Sequence, residues 1–266
     1  MVARRQLVES YFHAASAVDV KEVWEKALYH ALVQLREAIT DPRGMIYVTP
    51  FILLNLNRDD EAYDLVRYWV SVYCVWTTRP MTEIMSRHVE SKEGEFFYPR
   101  TKNGRYQDLF EEYPAAVDEQ DMLMVFLVTL LIIKLRIVAA YDAACASLDL
   151  VFHETTGGRL IQEVRCTVAD MIIDERLVNI DSQRRQIDQL VEIIDRRNPT
   201  TLPAILNPLP LISQRQPATD VRGEPSEAYE IVTYSYRCFA RIPGARKMLE
   251  DRYGPNPTYN ATMHYD

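Results

Sequence analysis

Residues 122–133 read MLMVFLVTLLII and carry no charge; KLRIVAAY follows directly. No other stretch restricts the fold as much. A helix that crosses a membrane needs ~20 predominantly apolar residues. This run is 12 residues long before Lys134 and Arg136 interrupt it. The reading that remains is a central helix over about 119–148, buried on nearly all sides. Such a helix has little polar face to offer to water, so other elements must cover it.

The rest of the chain has the pattern of helices. Only 8 glycines are present, fewer than all-β chains with many tight turns use. A first helix is predicted over 3–17. A second covers 19–40, with Val23, Ala27, Leu28, Ala31 and Leu35 at helical spacing, and Asp41-Pro42-Arg43-Gly44 ends it. A helix pair follows over 46–56 and 59–72. In its second member Ala62, Leu65, Val66 and Trp69 form one apolar stripe, and Asp59 and Asp60 sit where the helix dipole favours negative charge. Later helices are predicted over 158–174, over 177–196 with Ile187, Leu190, Val191 and Ile194 on one face, from a Ser226 cap to about Ala240, and from Pro243-Gly244 to about Tyr253. Prolines cluster in 196–225 and 243–257, which marks 198–224 as a proline-rich connection. The polar tail 254–266 is expected to be loose. The prediction is one all-α domain over 1–253, an antiparallel helix array interrupted by a long insertion at 77–118.

That insertion holds Pro80, Pro99 and Pro114 among mixed charged and aromatic residues, and one short helix is predicted at 81–89. Long loops without secondary structure are uncommon and often functional. Phe96, Phe97, Tyr98 and Arg100 have the composition of an interface hot spot. Two readings stand side by side: a contact surface for a partner, or a lid tucked under the helices.

The octet EAYDLVRY, starting at Glu61, returns as EAYEIVTY starting at Glu227, with five of eight positions identical. Helices approach closely where a small residue meets a large one, and each octet sets an alanine beside a tyrosine. The first octet lies in FILLNLNRDDEAYDLVRYW, an apolar helix, a polar turn and then Glu-Ala. This phrase resembles the helix-turn-helix of tetratricopeptide repeats. Asn57 stands where glycine is usual there, and asparagine tolerates the left-handed conformation. The two echoes are 166 residues apart, and the tandem 34-residue period is absent.

LNLNRDDEAYDLVRYW, followed in order by NPTTLPAILNPLPLI and SEAYEIVTYSYRCFARIPGA, is similar to a group of fungal and protist tetratricopeptide-like proteins. That group reads L-G-R-D-x-E-x-Y-D-F and N-P-x-x-x-P-A-L-L-N-P at the matching places. The resemblance covers about 46–250. It implies an irregular tetratricopeptide-like helical repeat and supplies no activity. The chain departs from the pattern at Asn57, at Tyr68 and throughout 77–118.

A net charge of −8 disfavours binding to nucleic acid or to an anionic membrane surface. Cys74, Cys145, Cys166 and Cys238 are scattered, which fits reduced thiols in a cytoplasmic protein. The first sixteen residues do not read as a secretory signal. His13, His30, His88, His153 and His264 form no metal-binding spacing, and no G-x-S-x-G, G-x-G-x-x-G or P-loop phrase occurs. Asp60 and Asp64 share a helix face and loosely resemble the aspartate-rich site of isoprenoid synthases, where carboxylates hold Mg²⁺ and a diphosphate. Two function classes follow. The first is a protein-interaction module that binds a protein partner in a helical groove and needs no cofactor. The alternative is a helical Mg²⁺-dependent enzyme acting on an isoprenoid diphosphate or a related small molecule.

Overall fold

The computed structural model describes residues 2–37, 43–76, 98–112, 122–155, 179–217 and 219–263. Among these the protein is all-helical, with eleven α-helices and no strand. They are α1 (Val2–Val18), α2 (Lys21–Glu37), α3 (Arg43–Asn55), α4 (Asp59–Trp76), α5 (Leu109–Glu112), α6 (Met124–Thr155), α7 (Ile180–Arg197), α8 (Thr201–Leu206), α9 (Leu209–Ile212), α10 (Pro225–Ala240) and α11 (Ala245–Tyr253). The helices expected at 81–89 and 158–174 lie outside the described residues.

The charge-free run forms the first third of α6, and α3, α4, α7 and α10 pack around this helix. Val125, Leu127, Val128, Ile132 and Ile133 are sealed from solvent. By length and composition Met124–Ser147 is apolar enough to cross a membrane, but 72% of its most apolar 18 residues are buried inside the fold. Its neighbours reach it by the stripes that periodicity marks. Ala62, Leu65, Val66 and Trp69 of α4 are fully buried, as are Leu190 and Ile194 of α7. Burying one Leu- or Ile-sized side chain contributes ~1.5–3 kcal/mol, so this covered helix is the main source of cohesion.

Helix ends follow local chemistry. α3 stops in a Schellman turn: the Arg58 N–H donates to Leu53 O at 2.9 Å and the Asn57 N–H to Leu54 O at 3.1 Å. The closure puts Asn57 at φ 56, the left-handed region that asparagine tolerates and β-branched residues do not. Asn57→Gly should leave stability within ~0.5 kcal/mol, whereas Asn57→Val should cost ~1–2 kcal/mol. Thermal unfolding of the two variants measures this, and equal midpoints would refute the role of the turn.

Three local expectations are corrected. The proline-rich connection contains two short helices, α8 and α9, and all six residues of α8 are buried. Pro203 and Pro210 fall in first turns, where backbone N–H groups have no helical partner to lose. α10 begins at Pro225 rather than after a Ser226 cap; the Ser226 hydroxyl instead accepts from the Val221 N–H at 3.0 Å. The C-terminal segment, predicted loose, is held as far as residue 263. There Met263 is buried, and the Tyr259 hydroxyl donates to Asn207 O at 2.6 Å.

The two octets occupy equivalent places. Glu61 and Glu227 are each the third residue of their helix, and both helices pack on α3. Ala62 and Ala228 are sealed, as are Leu65 with Ile231 and Val66 with Val232. The repeated sequence is thus a repeated way of seating a helix on α3.

Candidate functional site: an acidic clasp and an apolar cleft

The head of α4 carries Asp59, Asp60, Glu61 and Asp64, and each has a partner. Asp59 pairs with Arg136 of α6 at 2.6 Å, and Arg136 also donates to Leu54 O at 2.8 Å. Glu61 holds Arg58 and Arg100. Asp60 Oδ1 accepts the Arg105 N–H at 3.1 Å. Asp64 Oδ2 accepts the Thr101 N–H at 2.6 Å, and Arg67 lies 3.3 Å from its other oxygen. Burial raises the Asp64 carboxyl above its ordinary range, against the Thr101 backbone bond and Arg67, which lower it.

Asp60 and Asp64 therefore share a face, as their spacing requires, and that face grips the backbone of residues 101–105. The opposite polarity of this segment is gripped from α6 and α7. Lys134 Nζ donates to Arg105 O at 2.8 Å and to Gln107 O at 2.7 Å. Gln183 Nε2 donates to Tyr106 O at 2.9 Å. An irregular segment laid against a core must have its N–H and C=O groups satisfied. Here carboxylates take the donors, while an ammonium and an amide take the acceptors. Gly104 lets the strip lie close, since a Cβ there would come within 3.2 Å of Tyr63 and 3.3 Å of Asp64 Oδ1.

Lys134 is 1% exposed. Burial lowers its amine to about 7, with Asp108 acting the other way. A neutral amine retains two N–H donors, which matches the two carbonyls it serves. In the sequence Lys134 marks only the end of an apolar run. The usable signal was that a charge within a helix buried on all sides must have a specific partner.

The aromatic hot-spot expectation divides. Phe96 and Phe97 lie outside the described residues. Tyr98 is 2% exposed and packs beside Tyr68, with ring centres 6.5 Å apart. It belongs to the interior, so it cannot serve as an outward contact; its ring is apolar enough to fill the space next to α4. Arg100 is exposed and tied to Glu61. Among the described residues no three His, Cys, Asp or Glu side chains gather as a metal-binding group.

A second feature was not foreseen. α6, α7 and the start of α11 enclose an open cleft of about 340 Å³. Leu135, Val138 and Ala139 of α6, Ile187 of α7 and Met248 of α11 line it. At its edge Arg184 bridges to Asp142, joining α7 to α6, and Asp188 is exposed beside them. The lining comes from three separate segments spread over more than 100 residues of sequence, so no local pattern announces it.

No family model, curated protein or solved structure matches this chain. The site's chemistry must carry the functional reading by itself.

Proposed function

We propose that the protein is an interaction module whose apolar cleft between α6, α7 and α11 receives the apolar ridge of a partner protein's helix. The observation that carries this reading is the cleft itself: aliphatic walls with an ionic rim. Peptide-binding helical grooves and the buried centres of interfaces have the same organisation. The tetratricopeptide-like arrangement belongs to this proposal. It is supported by the α3–α4 helix-turn-helix and by the repeated seating of α4 and α10 on α3. A cytoplasmic location goes with it, in keeping with the scattered cysteines.

Ala139 is half-buried and lines the cleft, so Ala139→Glu places a charge in the apolar wall without emptying the core. It should leave the melting temperature within ~2 °C and lower affinity for an isolated partner at least tenfold. Titration calorimetry with that partner decides the point, and undiminished affinity would move the binding surface elsewhere. The alternative enzyme reading requires Asp60 and Asp64 to release residues 105 and 101 before they could hold Mg²⁺. On that reading Asp60→Asn with Asp64→Asn abolishes Mg²⁺-dependent diphosphate binding in a thermal-shift assay. On the module reading the native chain gives no such shift.

A further inference from the structure

The beginning of α1 lies over a polar cleft of about 170 Å³ and brings one cation to it. Arg5 rests on Gly44, where an added Cβ would come within 3.0 Å of the arginine side chain. Arg5 Nε donates to Glu9 at 2.9 Å and Nη2 to Glu230 at 3.4 Å. Asp220, in the loop before α10, faces the same cleft and accepts from the Tyr47 hydroxyl at 3.3 Å. Glu9 of α1 and Glu230 of α10 thus share one guanidinium, and the exposed Asp220 of the preceding loop lies on the same cleft. The neighbouring phenols, Tyr47 of α3 and Tyr234 of α10, add no positive charge, and burial holds both protonated. Glu230 is the most enclosed of the carboxylates Arg5 touches, its side chain being 18% exposed against 28% for Glu9. One turn further on, Phe12 packs edge-on against Tyr234 at 4.9 Å and Trp24 at 5.1 Å.

We propose that α1, which packs chiefly on α2, carries a proton-operated latch at its contacts with α3 and α10: these hold while the Glu230 carboxyl keeps a proton, and loosen, uncovering Val8 and Phe12, when that proton leaves. Like charges around one cleft disfavour each other, and a single arginine cannot fully neutralise the two carboxylates it touches. Burial pushes Glu230 up to about 7; Arg5 opposes this, and Asp220 and Glu9 reinforce it. Once α1 lifts, Glu230 is solvated and has the ordinary value of about 4.3. The seated state therefore binds the proton more tightly. Seating is strongest below about pH 4.3, weakens as pH rises towards 7 and changes little beyond it.

Hydrogen exchange of the full chain, corrected for intrinsic rates, reads this directly. Amides of residues 4–12 should lose roughly tenfold or more in protection between pH 5 and 7.5, while amides of residues 125–133 in α6 hold theirs. Glu230→Gln keeps shape and removes the titration, so α1 should stay protected across the range. Asp220→Asn removes one opposing charge and should shrink the fall; it decides the matter if the first variant does not fold. Constant protection of native α1, an undiminished fall in the folded variants, or a parallel fall in α6 would each overturn the latch.

Discussion

Replacing Lys134 with methionine is expected to destabilise the protein by about 2–4 kcal/mol. Methionine nearly fills the same volume, so the loss comes from two buried carbonyls, Arg105 O and Gln107 O, left without donors. The charged group's own desolvation offsets part of this, which keeps the figure below the sum of two full penalties. Exchange should rise first in residues 101–107, because the strip's backbone keeps its bonds to Asp60, Asp64 and Gln183 but loses both of those from Lys134. The pH profile separates this account from simple packing. The amine binds its proton more weakly in the fold, at about 7 against an ordinary 10.5. The unfolded chain thus holds the extra proton between those values, and native stability should rise with pH from about 7 to 9.5. In Lys134→Met that rise should disappear. A variant as stable as the native chain, or one with the same pH slope, would show that Lys134 does not anchor the strip.

Asn198→Ala should cost about 3 kcal/mol, which for a chain of this size lowers the melting temperature by about 6–12 °C. Asn198 is fully buried and joins three segments. Its Nδ2 donates to Glu224 O at 3.0 Å and to Glu227 Oε2 at 2.9 Å, and its Oδ1 accepts the Thr200 N–H at 3.1 Å. Glu227 is itself buried and accepts the Gly223 N–H at 2.9 Å. Alanine leaves this carboxylate short of a donor where water cannot replace it. Asn198→Asp should be worse near neutral pH, since two carboxylates would then face each other, and should recover as acid protonates one of them. Denaturant titration of both variants at two pH values tests this. If Asp proves milder than Ala at pH 7, the charge argument is wrong.

How far the sequence anticipates this architecture depends on whether the deciding contact is local. Helical stripes depend on residues three and four apart, so Ala62, Leu65, Val66 and Trp69 point inward as periodicity says. Asn57 is legible for the same reason, because a Schellman turn is a property of six consecutive residues. The acidic face of α4 was only half legible. Spacing placed Asp60 and Asp64 together, but what they hold is the backbone of residues 101–105, in a segment without periodicity. Backbone groups leave no trace in side-chain patterns. Tyr98 stayed open between a contact and a lid tucked under the helices, because aromatic composition does not distinguish a surface from the interior beneath it. The cleft and the α1 seat were invisible because each assembles from elements far apart in the chain.

The seating of both α4 and α10 on α3 has a consequence for how the chain emerges from the ribosome. α3 can meet α2 and α4 once residue 76 is made, but its contacts with α6 and α10 wait for residues 124–155 and 225–240. Until then Asn55 lacks the Cys238 thiol that lies 3.1 Å from it, and Tyr47 lacks Asp220. Contacts of such long sequence separation slow folding and leave apolar surface open meanwhile. The surface of α3 that α10 covers thus closes only after residues 225–240 are made.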